Sequence, residues 1–293
     1  MNAVRTLLGG IVDYAGLYPP ASLDLPTAAR NYASYLADGD AWMLGRFVIP
    51  AARLDELDAA GLPAAPSRTW RLTALIGVDV GSDAAHIRAF NASHDGRAIV
   101  DVLEAKAASV EDIQRIAATV GAEFTTFVEL PLAADLDPLV GALQQAGLRA
   151  KIRTGGVVAD AFPSAILIAR FIRACVRAHV PFKATAGLHH PVRAEYRLTY
   201  DGGAPVGAMF GYLNVFLAAA LMANGLSDAD VVRLLEERDP DAFELAPDAV
   251  GWRGHTITAE EAQRVRDTVA VSFGSCSFRE PVDELRALSL TPT

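Results

Sequence analysis

Cysteine is nearly missing from this chain: Cys175 and Cys276 are the only two in 293 residues. That is too few for a disulfide framework or a zinc knuckle, and it fits a reducing compartment, so the chain is expected to be cytoplasmic. Basic charge is also scarce, with 26 Lys and Arg against 35 Asp and Glu, a net charge of -9 and a pI near 5.2. Nucleic acids and anionic membranes reward basic patches, so neither is expected as the main partner. No His-x-His pair, Cys-x-x-Cys or His-Glu-x-x-His occurs. No Gly-x-Gly-x-x-Gly turn follows an early strand, which removes the usual dinucleotide fingerprint. At the N-terminus only Leu7 to Val12 is apolar between Arg5 and Asp13, shorter than the core of an export signal, and none is expected.

Apolar residues make up 52% of the chain, enough for a large core. Short β-rich runs alternate with helical windows, the mark of repeated βα units on a parallel sheet. Strands are expected near Leu8 to Asp13, Met43 to Ile49, Leu72 to Val78, Ala98 to Ala105, Phe124 to Leu130, Leu148 to Thr154, Pro181 to Ala186 and Ala270 to Phe273. Helical windows fall at Pro26 to Ala37, Asp83 to Ala92, Val110 to Val120 with Ser109 as N-cap, Ala134 to Ala146 and Ser164 to Ala178. Eight strands favour a single α/β domain over residues 1–293, a (β/α)8 TIM-type barrel, above an open doubly wound sheet. Another count makes Phe243 to Leu245 a strand and demotes the first.

The segment from about His189 to Asp267 is too long for one connection and reads as a helical insertion before the last strand, capping the catalytic face. Within it, Val206 to Ala223 is almost wholly apolar, near the roughly 20 residues that span a bilayer. Asn214, Tyr212 and the glycines favour a buried helix instead. Because it is apolar all round, its outer face is expected to pack on a second subunit, making the chain a homo-oligomer.

In such a barrel the active site lies at the C-terminal ends of the strands. The candidates there are Asp13, Arg46, Glu104, Lys106, Glu129, Lys151, Arg153, Lys183 and Thr185. Period-two alternation puts Lys151 with Arg153, Lys183 with Thr185, and Glu104 with Lys106 on common faces. Lysines on buried parallel strands have no solvent side to rest on, which singles out Lys151 and Lys183. A lysine shielded from water loses proton affinity, and a neighbouring cation lowers its pKa further, which makes an amine nucleophilic near neutrality. Glu104 and Glu129 are the expected counter-charges or general acid-base groups. His189 and His190, in Gly187-Leu-His-His-Pro191, supply a proton shuttle or ligand-orienting group. Gly274 and Ser275, in the turn after the last strand, offer backbone N–H groups to an anion. The loop from Asp13 to Pro20 is placed at the same end as part of the substrate wall. The pocket is expected to be locally positive and to take a small anionic metabolite.

The segments Lys151-Ile-Arg-Thr-Gly-Gly156 and Lys183-Ala-Thr-Ala-Gly187, 32 residues apart (183 − 151), resemble the paired-lysine strands of class I aldolases of the deoxyribose-phosphate aldolase type. The resemblance covers about residues 150–187 and implies that Lys151 forms a Schiff base while Lys183 depresses its pKa. Arg153 stands where a small hydroxyl residue is expected, and His189 with His190 replaces a phosphate-binding turn. The leading reading is therefore a lyase on a small anionic carbonyl or carboxylate compound, with no cofactor. A metal-assisted lyase or isomerase using Glu104, Glu129 and a histidine, and a non-catalytic barrel binding an anionic metabolite, are the alternatives.

Overall fold

The βα alternation closes into a parallel barrel in the computed structural model, which describes residues 2–63 and 68–288. Strands β1 (Val12–Tyr14), β2 (Leu44–Pro50), β3 (Trp70–Leu75), β4 (Ala98–Lys106), β5 (Thr125–Glu129), β6 (Arg149–Arg153) and β7 (Phe182–Thr185) follow in chain order. The last barrel strand, Ala270–Ser275, pairs with both β7 and β1 and closes the ring. Between β7 and this closing strand lie β8 (Ala194–Arg197), β9 (Val206–Met209), β10 (Phe243–Leu245), β11 (Ala249–Trp252) and β12 (His255–Thr258), so the closing strand is β13. All eight expected strands are therefore in the ring. Phe243–Leu245 is also a strand, but it belongs to a separate antiparallel sheet and displaces nothing.

The first strand is shorter than its hydrophobic run suggested, because Ala3–Leu8 forms helix α1 with the Asn2 side chain capping Arg5 N–H. Helices α2 (Leu25–Leu36), α3 (Val80–Ser93), α4 (Val110–Val120), α5 (Leu136–Ala146) and α6 (Ala165–Ala178) then alternate with the strands. Each starts on a side-chain acceptor: Asp24, Asp79, Ser109, Asp135 and Ser164 respectively. Those caps fill donors that the first helical turn leaves open, which is why these boundaries could be read from local sequence.

The segment expected to be a helical insertion holds α7 (Tyr212–Ala223), α8 (Asp228–Glu236) and α9 (Ala259–Thr268), and also five short strands, the β8–β9 hairpin and the β10–β11–β12 sheet. Only part of it caps the mouth. The hairpin connection brings Tyr200 to the β13 loop, where its hydroxyl donates to Glu280 Oε2 at 2.9 Å. The three-stranded sheet and α9 pack instead near α1, before β1, where Ala3 N–H donates to the Pro247 carbonyl at 2.7 Å.

Helix α7 corrects the argument for association. It is apolar all round because α6, α8 and α9 and strands β11, β12 and β13 surround it, and Leu213, Val215, Phe216 and Leu217 are fully buried in the chain itself. Each such side chain contributes about 1.5–3 kcal/mol of transfer free energy. The apolar face that called for a second subunit is thus already covered, and Val206–Met209 belongs to the hairpin rather than to the helix. Among the described residues no helix is long and apolar enough to cross a membrane. The final helix, α10 (Arg279–Ala287), follows β13.

Asn214 is the one polar side chain in the middle of α7, and it ties that layer together. Its Oδ1 accepts from Arg193 N–H at 2.9 Å, and its Nδ2 donates to the carbonyls of Leu234 and Glu237 at 2.8 and 2.9 Å. Replacing it with Leu leaves the Arg193 N–H and the Glu237 carbonyl without partners at about 1 kcal/mol each, while the Leu234 carbonyl keeps the Glu237 N–H at 3.2 Å. Urea unfolding of Asn214→Leu should therefore show a loss of about 2 kcal/mol; an unchanged midpoint and slope would contradict this role.

Candidate functional site

The strand register decides which side chains meet inside the barrel. Lys151 on β6 lies opposite Lys183 on β7, and opposite Glu129 on β5. Glu104 on β4 lies opposite Phe127 on β5. With Asp13 on β1 and Ser272 on β13, these side chains form one polar column in an otherwise apolar core. Asp13 Oδ2 accepts from Ser272 Oγ at 2.8 Å and from Lys183 Nζ at 2.6 Å. Lys183 Nζ also sits 2.5 Å from Glu104 Oε1, while Glu104 Oε2 is 2.6 Å from Lys151 Nζ. Glu129 Oε2 is 3.0 Å from Lys151 Nζ, and its Oε1 accepts from Arg153 Nε at 3.1 Å. Positive and negative groups thus alternate from Ser272 to Arg153.

This arrangement corrects the electrostatics expected from sequence, in which one lysine depresses its neighbour across a direct cation-cation contact. A carboxylate stands between the two ammonium groups, each bound to a different oxygen of Glu104. Burial works to lower the Lys183 pKa, but Asp13 and Glu104 outweigh it and hold the pKa above the ordinary lysine value. Glu104 shows the reciprocal balance: burial pushes its pKa up, yet Lys183 and Lys151 bring it down to about 2. Burial likewise opposes ionisation of Glu129, and Lys151 and Arg153 override it. Lys183, with no exposed surface, also faces the Phe127 ring with Nζ 5.6 Å from its centroid.

Above the column opens a cavity of about 390 Å³ at the C-terminal ends of the strands. Lys151, Glu104, Glu129, Arg153, Thr185 and Gly274 all line it. Lys183 and Asp13 lie beneath its floor, so Lys151 is the member of the lysine pair that a ligand can touch. Lys106 lines it too, at the exposed end of β4. Apolar wall comes from Val48, Leu75, Pro19 and Val157. With Lys106, Lys151, Arg153 and His189 facing Glu104 and Glu129, this mouth is positive within a chain of net charge -9. An adjoining cavity of about 600 Å³, between β3 and α4, shares Leu75, Glu104, Lys106 and Lys151 with it.

Three sequence candidates lie elsewhere. Arg46 sits two residues before Val48 on β2, and its guanidinium is bound by Asp101 at 2.7 and 2.8 Å rather than offered to the cavity. Asp101 is the extra residue of a bulge, where Leu72 pairs with Val100 and Thr73 with Val102, and nothing in the alternation of β4 announces it. His190 turns away: Nδ1 contacts both Glu284 oxygens at 2.8 Å, and the ring stacks on Tyr196 with centroids 3.4 Å apart. Ser275 Oγ accepts from Ser277 N–H at 3.3 Å, and Ser277 Oγ accepts from Glu280 N–H at 3.1 Å. That turn satisfies these amides internally instead of holding them for an anion.

His189 does reach the cavity. Its Nδ1 donates to Glu280 Oε2 at 3.1 Å and lies 3.9 Å from Cys276 Sγ, another lining group. Burial lowers its pKa, but Cys276 and Glu280 together raise it to about 9, so an imidazolium faces the mouth at neutral pH. The loop after β1 contributes Ala15, Tyr18 and Pro19 to the wall. The Tyr18 hydroxyl is buried with no hydrogen-bond partner. Burial first, then the Glu104 charge, raises its pKa and keeps it a neutral donor. Sequence pointed to this loop but not to the hydroxyl, since orphaned donors are visible only in three dimensions.

The glycines after the two lysine strands are there for close approach. Gly187 has φ +74°, and a Cβ on it would fall 2.9 Å from Gly155 Cα. Ala186, at φ 60°, shares the left-handed turn that carries the chain from β7 to His189, a strained choice for a residue with a side chain. Thr154 Oγ1 donates to the Ala186 carbonyl at 2.6 Å and stitches the two loops.

Fold and site together define a (β/α)8 barrel whose mouth opens onto a buried column of alternating lysines and carboxylates. No protein-family model matches this chain, and no curated protein is significantly similar to it. Among the described residues no three His, Cys, Asp or Glu side chains converge as metal ligands; Glu104 turns both oxygens to the lysines, and Glu129 divides its pair between Lys151 and Arg153.

Three outcomes follow from this geometry. Glu104→Gln removes the charge shared by two buried ammonium groups and should lower stability by about 3–5 kcal/mol in urea titrations; a change below about 1 kcal/mol would contradict the bridge. Because the His189 pKa is raised from 6.5 to about 9, its ion pair stabilises the fold fully below pH 6.5 and loses that contribution as pH climbs through 9. That contribution amounts to at most about 3 kcal/mol, and His189→Gln should flatten the stability-pH curve over this window. Tyr18→Phe deletes an unsatisfied hydroxyl, so its melting temperature should equal or exceed that of the parent, whereas a fall of several degrees would indicate a structural bond there.

Proposed function

We propose that this protein is a carbon-carbon lyase that forms an imine between Lys151 and a small carbonyl compound carrying an anionic group. The observation that supports this reading best is the placing of Lys151, a buried amine in the cavity wall held between Glu104 and Glu129. The local resemblance to class I aldolases assigns the same lysine.

The chemistry needs the Lys151 amine to shed one proton, attack the carbonyl carbon and then lose the carbonyl oxygen as water. Glu129, 3.0 Å away in the cavity wall, is the acceptor for that proton. Glu104 is less suited to proton exchange, because both of its oxygens are bound by ammonium groups and its pKa is about 2. Lys183 remains an ammonium held by Asp13 and Glu104 beneath the cavity, which leaves Lys151 as the amine that reacts. The Tyr18 hydroxyl is available to the departing oxygen, and Arg153, Lys106 and His189 meet the anionic tail. The proton taken by Glu129 leaves with the carbonyl oxygen as water. Glu129 then takes the proton of a hydroxyl one carbon beyond the bond that breaks, and a carbonyl product departs as the electron pair passes to the iminium. The same carboxyl returns that proton to the resulting enamine carbon, and water hydrolyses the iminium to free Lys151.

Borohydride reduction in the presence of acetaldehyde or pyruvate tests this. The parent protein should gain a stable adduct that peptide mapping places on Lys151, and Lys151→Ala should gain none. Lys183→Met should still be trapped on Lys151, because the reacting amine is retained. An adduct that persists in Lys151→Ala, or that maps to Lys106, would overturn the assignment.

A further inference from the structure

A second cavity lies outside the barrel mouth, where the chain turns from His190 into the hairpin. Arg193 is held there rigidly: its backbone N–H is fixed by Asn214 Oδ1 at 2.9 Å, and its guanidinium lies over the Phe210 ring, 4.3 Å from the centroid. Its Nη1 is nevertheless buried without any hydrogen-bond partner. A buried donor on a charged group is among the costlier atoms to leave unmatched. Neighbouring acceptors are committed elsewhere: the Pro191 carbonyl accepts from Leu213 N–H at 3.0 Å, and the Val192 carbonyl from the Tyr196 hydroxyl at 3.0 Å.

Arg193 borders a cavity of about 220 Å³ that Arg238 also lines, and it shares no residue with the barrel-mouth cavity. Among the described residues neither guanidinium forms an ion pair. Among the described residues Glu284 is the one carboxylate in the wall, and both its oxygens are engaged by His190 Nδ1. Burial, and then Arg238, hold the Arg193 pKa below its ordinary value, while Glu236 pulls the other way. Two arginines that repel each other across a cavity, one with a donor aimed at nothing, describe a binding site for negative charge. The planar guanidinium fork suits carboxylate or phosphate oxygens, and the floor of Pro191, Val192 and Leu288 limits the rest of the ligand to a small body.

We propose that Arg193 and Arg238 chelate a small oxyanion, a carboxylate or a phosphate, at a site separate from the catalytic mouth. Because Glu284 in its wall also clamps His190, the residue after His189, an anion bound here stands beside the loop that shapes the mouth.

Calorimetric titration of the full chain with inorganic phosphate, and separately with citrate, tests the site. At least one probe should bind saturably and raise the melting temperature, and whichever binds identifies the oxyanion class. Arg193→Met should weaken that binding at least tenfold, and so should Arg238→Met, whose side chain is exposed and whose replacement leaves the fold intact. A tenfold loss corresponds to about 1.4 kcal/mol per arginine. No saturable binding of either probe, or undiminished binding in both variants, would overturn the proposal; a loss confined to Arg193→Met would overturn the paired chelation.

Discussion

One carboxylate holds the interior of this barrel together. Glu104 offers each of its oxygens to a different buried ammonium, at 2.6 Å to Lys151 and 2.5 Å to Lys183. Two buried lysines without it would be strongly destabilising, since an unpaired charge in a protein interior costs several kcal/mol. With it, three strands that are far apart in sequence are bound at one height, and the polar groups below and above extend the same logic. Asp13 and Ser272 close the column toward the core, while Glu129 and Arg153 carry it to the rim. The site is therefore also a structural element, and its chemistry cannot be altered without touching the fold.

The depth of each lysine follows from this packing and divides their roles. Lys183 has no exposed surface and two carboxylates within 2.6 Å, so it acts through its charge. Lys151 is one neighbour closer to the mouth and forms part of the cavity wall. Among the described residues four buried donors have no partner, the hydroxyls of Tyr18, Thr73 and Thr126 and Arg193 Nη1; of these, Tyr18 lines the mouth and Arg193 borders the second cavity. Local inconsistencies of this kind in a well-packed core mark places where a ligand completes the structure.

Much of this was legible in the sequence, for identifiable reasons. Apolar runs of strand length, separated by windows with Asp or Ser caps, carried the barrel, because both signals are local. The Lys151 and Lys183 strands stood out because a lysine on a buried strand has nowhere else to go. What failed was non-local. Arg46 was a candidate because it lies in the second strand, and nothing local foretold the Asp101 bulge that captures it. Glu104 could be named as a counter-charge, but that it would sit between the lysines depended on the register of β4 against β5. The apolar helix Tyr212–Ala223 looked like an interface because the strands that cover it, β11 and β12, are only four residues each and rich in polar and glycine residues. The paired histidines looked equivalent, yet Glu280 keeps His189 at the cavity while Glu284 draws His190 away.

The account rests on Lys183 being a permanent cation that Glu104 shares with Lys151. Selective labelling of the lysine side chains, with Lys183 assigned by comparison with Lys183→Met, allows its titration to be followed by heteronuclear NMR. The account predicts that the Lys183 signal stays that of an ammonium past pH 10.5, its ordinary midpoint, for as long as the protein remains folded. Deprotonation of Lys183 below that value, and above all near neutrality, would contradict it and would make Lys183 the amine held ready for reaction.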